Sequence, residues 1–143
     1  MSYNPRIGKQ ITYFDEPDTI VLELDGAVTL EEGAEINRRH GEFGEGRENI
    51  FFLLSLRKLE SIHPMVRKGA AEVLAKLNMR GMVGYDCPTK TRVIAKLIFT
   101  AMSLFSRRAR PPLEFFATEE EARGWIRRRR AELAENAALA RAS

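Results

Sequence analysis

Five consecutive apolar residues, Ile50-Phe51-Phe52-Leu53-Leu54, constrain the fold of this chain more than any other stretch. A run so short, apolar at every position and rich in aromatics, reads as a strand buried on both faces. Strands of that kind sit at the centre of parallel sheets covered by helices. The segments on either side therefore have to supply those helices.

They do. Residues 1–10 are polar and contain Pro5 and Gly8, and read as a flexible N-terminal arm. Ile11–Phe14 and Ile20–Leu24 form two strands of a hairpin around the turn cluster Asp15–Asp18, and Asp25-Gly26 closes the second. Thr29 and Glu32 have the spacing of a capping box and start a helix with inner residues Leu30, Gly33, Ala34 and Asn37, ending near Gly41. After the central strand, Ser55–His63 reads as a loop. Pro64 suits the first turn of a second helix, in which Val66, Ala70, Val73, Leu74 and Leu77 recur at helical spacing. Gly81 stops it, and Met82–Tyr85 is a short strand. A third helix spans Thr89–Ser106, Leu113–Phe116 is a last strand, and Thr118 with Glu121 caps a fourth helix that turns Ala122, Trp125, Ile126 and Leu133 inward. Acids in its first turn and arginines later suit the helix dipole. Residues 136–143 are an alanine-rich tail that frays.

This order predicts one α/β domain over residues 11–135, with a mixed, mainly parallel sheet of about five strands and about four helices. The 143 residues suffice to bury a real core, and 44% apolar with 30% charged residues is ordinary for a globular protein. A single cysteine, Cys87, excludes an internal disulfide and a cysteine-cluster metal site. No signal-peptide pattern opens the chain, and the longest apolar stretch, Val93–Phe105, is too short for a bilayer and contains Lys96. These features point to a cytoplasmic protein without a transmembrane segment.

The strand Ile50–Leu54 leading into Ser55-Leu56-Arg57-Lys58-Leu59, and the ending Leu113-Glu114-Phe115-Phe116-Ala117-Thr118-Glu119-Glu120-Glu121-Ala122-Arg123-Gly124-Trp125-Ile126, resemble the SpoIIAA-like group of the STAS superfamily. The likeness covers roughly Ile11 to Arg130. It implies a STAS-like fold and a non-enzymatic regulatory module that works through protein contacts, as relatives of anti-sigma factor antagonists do. The wider grouping is also described as similar to lipid-binding Sec14-type domains. In anti-sigma factor antagonists, a serine in an Asp-Ser-Ser-Gly-like segment after the central strand is phosphorylated. Here the corresponding stretch is Leu59-Glu60-Ser61-Ile62-His63-Pro64-Met65, which puts His63, Pro64 and Met65 in place of the acid and the serines.

Catalytic constellations are missing. Cys87 and Arg92 are separated by one residue fewer than a phosphate-wrapping Cys-x5-Arg loop requires, and that loop's glycines are absent. His40 and His63 are the only histidines, and no carboxylate spacing makes a metal site with them. His63 could meet Cys87 or Asp86 only if the loops gather them at one sheet end. Arg127–Arg130 spans a full helical turn without interleaved aromatics, which describes a solvated face rather than a nucleic-acid interface.

The third helix is different. It is apolar nearly all the way round, more than one sheet-facing stripe requires. Its outer side therefore meets a second copy, a partner protein, or an apolar ligand or membrane surface, with Arg107, Arg108 and Arg110 suited to an anionic group. The expected contact residues are His63, Met65, Cys87, Arg92, Phe99, Met102, Phe105, Arg107 and Arg108. No enzyme activity, cofactor, metal or nucleic acid is expected. The alternative to a protein-binding role, with a homodimer among its forms, is binding of a lipid or other apolar ligand through this helix and its basic end.

Overall fold

A computed structural model describes residues 4–143. Six strands form one sheet in chain order: β1 (Arg6–Ile7), β2 (Gln10–Asp15), β3 (Thr19–Val28), β4 (Ile50–Ile62), β5 (Met79–Tyr85) and β6 (Leu113–Phe116). The first three are antiparallel neighbours, and β3 through β6 run parallel. Each parallel pair is joined by a helix: α1 (Leu30–Gly44), α2 (Pro64–Lys76) and α3 (Thr89–Phe105). Right-handed crossovers between strands laid down in order all pass on the same side of a sheet. These helices accordingly pack side by side on one face, and the last helix, α4 (Glu119–Ala142), covers the other.

The central strand divides its side chains between the two layers. Phe52 and Leu54 lie in the larger core under α1–α3, whereas Phe51 and Leu53 meet Ala122 and Ile126 of α4. All five residues from Ile50 to Leu54 are buried, and each phenylalanine contributes about 2–3 kcal/mol of apolar burial. Trp125 stands edge-on to Phe51, with ring centroids 6.3 Å apart.

Several boundaries differ from the sequence expectations. Ser55–Ile62 is strand, not loop, because Leu56 and Leu59 are buried in the core. Nor does Asp25-Gly26 end β3. Two register shifts, with Gly26 at φ +67°, carry that strand on to pair Val28 with Ile62. The β3–β4 ribbon therefore extends past the end of β5, whose last pair is Ser55 with Tyr85. Gly81 lies inside β5 rather than stopping α2. The Trp125 ring rests on it, and a Cβ there would sit 2.5 Å from the ring edge.

Helix α1 is rotated from its expected orientation. The capping box of Thr29 and Glu32 is present, but Gly33, Ile36 and His40 face inward, while Leu30 and Ala34 are exposed. Bare Gly33 lets Val66 of α2 approach closely. Residues 4–10 are no free arm either. Arg6–Ile7 pairs with β2, and buried Gln10 donates Nε2–H to Asp25 O (3.0 Å) and accepts the Asp25 amide (2.8 Å). Residues 1–3 of the expected arm lie outside the described residues. At the other end, α4 stays helical through Ala142, across the expected tail.

Candidate site: an apolar cavity and the outer face of the third helix

Between the sheet and the three-helix layer lies a cavity of ≈ 80 Å³. Strands β3 and β4 supply Leu24, Phe52, Leu54, Leu56 and Leu59, α2 supplies Val66, Val73 and Leu74, and α3 supplies Ile94, Ala95 and Ile98. Among the described residues its only polar lining residues, Asn37 and His40, sit one turn apart on α1. No charged side chain among the described residues lines it. Val73, Ile94 and Ile98 are half-buried, so the outer wall is the α2–α3 seam.

His40 is only 4% exposed, and the sequence reading gave it no role. Its Nε2 lies 2.8 Å from Thr12 Oγ1, and the Thr12 hydroxyl lies 2.9 Å from the Val21 carbonyl oxygen. A carbonyl only accepts, so the hydroxyl proton goes to Val21 and His40 must donate Nε2–H to Thr12. This fixes the tautomer and leaves Nδ1 as a bare acceptor. Burial pushes the His40 pKa down to about 3, so the ring stays neutral. Asn37 donates Nδ2–H to the Val66 carbonyl at 3.3 Å, leaving Oδ1 as its acceptor. The only sequence signal for His40 was its place four residues after Ile36 on the face begun by Gly33.

The predicted contact residues separate into groups. His63 caps α2, its Nδ1 accepting the Met65 amide at 3.1 Å, and no hydrogen bond joins it to Cys87 or Asp86. Ser61, expected in a loop, is exposed on β4 and pairs with Ala27. Cys87 is buried, its thiol 3.4 Å from the Tyr85 carbonyl, and burial pushes its pKa up, the wrong direction for a nucleophile. Arg92 donates Nε–H to the Cys87 carbonyl at 2.9 Å and lies over the Phe115 ring. Phe99 and Met102 belong to the core and have no access to a surface partner, nor do they line the cavity. That corrects the expectation for these two residues: they fall on the inner stripe with Thr91 and Ala95.

What α3 does expose is Val93, Leu97 (55%), Leu104 (80%) and Phe105. Positions 93, 97 and 104 follow helical spacing down one side. Met65 at the start of α2 is exposed as well. Arg108 donates to the Leu77 carbonyl at 2.7 Å and Arg110 lies over Phe99, while Arg107 is exposed. From Cys87 to Leu113 the chain carries Lys90, Arg92, Lys96, Arg107, Arg108 and Arg110 and no acid. No helix among the described residues is long and apolar enough to cross a membrane.

A sequential sheet with three crossover helices on one face and a terminal helix on the other defines a SpoIIAA-like α/β fold of the STAS type, as the sequence led one to expect. Among solved structures, the anti-sigma factor antagonist SpoIIAA in its unphosphorylated form matches with a TM-score of 0.56 at 15% identity, over 82% of this chain and 97% of that one. An uncharacterised DUF3478-family protein with a SpoIIAA-like fold from Shewanella loihica PV-4 matches with a TM-score of 0.60 at 12% identity, over 87% and 98%. No family model and no curated protein matches the sequence.

Proposed function

We propose that this chain is a non-enzymatic binding module whose ligand is an apolar molecule, or the apolar end of one, seated between the sheet and helices α1–α3. The carrying observation is the cavity itself. This space of ≈ 80 Å³ is lined almost wholly by apolar side chains and offers nothing to water except two side chains of α1. The space is about half that of an engineered ~150 Å³ core cavity that takes up benzene or xenon. It therefore accommodates a short alkyl group, with any longer ligand passing through the α2–α3 seam. The test is extraction of the protein, purified without detergent, into organic solvent followed by mass spectrometry. A stoichiometric apolar compound is expected from the wild type and not from Ala95→Leu, which fills the cavity. Equal recovery from both variants, or none from either, contradicts the reading.

A second reading has its own observation, the exposed stripe Val93–Leu97–Leu104 with Phe105 beside it. As a regulatory module acting through protein contacts, the chain presents this stripe to a partner. The partner's surface is apolar and acidic, because the segment from Cys87 to Leu113 that carries the stripe has six basic residues and no acid. The same charge opposes pairing of two α3 helices, so sedimentation velocity is expected to show a monomer. A dimer that dissociates in Leu97→Glu contradicts this second reading.

A further inference from the structure

The polar side of the cavity restricts what the ligand is. The inference rests on the cavity being a binding site and concerns the chemistry of its occupant. His40 commits Nε2–H to Thr12, whose own proton goes to Val21 O. Asn37 commits Nδ2–H to the Val66 carbonyl. The His40 Nε2 proton and one Asn37 Nδ2 proton are thus engaged, while His40 Nδ1 and Asn37 Oδ1 have no hydrogen-bond partner among the described residues. Nδ1 belongs to a side chain more than nine-tenths buried. No charged residue among the described residues lines the cavity, so an anionic head group would enter it without a counter-charge.

We infer that the cavity takes an uncharged, mainly apolar molecule that ends in a hydrogen-bond donor, a hydroxyl or N–H group, which it gives to His40 Nδ1. The apolar part occupies the space between Leu54, Val73 and Ile98. Asn37 Oδ1, one turn earlier on α1, is the second acceptor within the same lining. The neutrality of the buried imidazole keeps Nδ1 an acceptor throughout the physiological pH range.

Three probes of similar size separate the possibilities: 1-butanol, 1-chlorobutane and butyrate. They are titrated into full-length protein labelled with ¹⁵N-histidine and ¹³C-methyl groups. The expected result is saturable binding of 1-butanol, with methyl shifts at Ile94 and Ile98. The unprotonated ring nitrogen of His40 should shift upfield as it accepts a hydrogen bond, and butyrate should not bind. In His40→Phe the preference for 1-butanol over 1-chlorobutane should fall at least tenfold. The nitrogen shift is read on the wild type, so the test stands even if that variant fails to fold. If 1-chlorobutane and 1-butanol bind equally well with the His40 nitrogens unmoved, the cavity is a ligand site and the donor requirement is wrong. Binding of butyrate as tight as that of 1-butanol also overturns it. If no probe moves the cavity methyls, the binding reading itself fails and this inference with it.

Discussion

His40 Nε2 and Thr12 Oγ1 are 2.8 Å apart inside the core, a bond that ties α1 to strand β2 and sets which imidazole nitrogen carries the proton. It predicts a pH dependence of stability. The His40 pKa is about 3 in the folded chain and about 6.5 in the unfolded one. Between those values the unfolded chain binds a proton that the folded chain refuses. Stability therefore rises with pH through that window and this contribution is complete above about pH 6.5, with a slope of up to about 1.4 kcal/mol per pH unit. Urea unfolding between about pH 5 and 6.5 checks this, above the range where most carboxylates titrate. A flat profile in the wild type, or the same slope in His40→Phe, contradicts it.

The two sides of α3 should respond in opposite ways. Phe99 is 1% exposed and packed in the core, so Phe99→Ala should cost about 3–5 kcal/mol. Leu97→Ala, on the outer stripe, should change stability by less than about 0.5 kcal/mol. Paired urea denaturations decide this. Similar losses at both positions would mean that α3 is buried all round.

Gly81 carries the weight of Trp125. A methyl group there meets the ring edge, so Gly81→Ala should destabilise by about 2 kcal/mol, although alanine normally suits a strand better than glycine. Trp125→Leu in the same background should recover part of the loss. An alanine variant as stable as wild type would mean that α4 does not seat on β5 as described.

Asp18 is held by Arg130 through two bonds of 2.8 Å, and the Thr19 hydroxyl donates to it at 3.0 Å. Arg130→Ala leaves that buried carboxylate without its cation and should cost about 1–3 kcal/mol. The Asp18→Asn, Arg130→Ala double variant should lose less than the sum of the two single changes, as measured by chemical denaturation. Strict additivity would mean the pair contributes nothing jointly.

Much of the fold was legible because it rests on local chemistry. The fully apolar run at Ile50, the capping box at Thr29, the Thr118 side-chain cap that accepts the Glu121 amide, and Pro64 at a helix start each act within a few residues, and each led to the element observed. The errors arose where distant contacts decide. Ser55–Ile62 looks like a loop until Leu56 and Leu59 are seen to be buried. Gly81 looks like a helix stop until Trp125 is placed on it, more than forty positions later. The inward turn of α1 depends on Val66 pressing against Gly33. The cavity was the least legible feature, because it is produced by residues from six elements and marked by none of them. The apolar excess of α3 was legible, but not its division into core at Phe99 and Met102 and surface at Leu97 and Leu104.

The most direct test of a ligand site beneath α1–α3 is a crystal structure determined under xenon pressure. Xenon is uncharged and polarisable, and reports whether apolar space is accessible regardless of the natural ligand. The expected result is a xenon atom between Leu54, Val73 and Ile98 in the wild type and none there in Ala95→Leu. An unoccupied wild-type cavity would show that the space is closed to apolar guests and would contradict the binding function proposed for it.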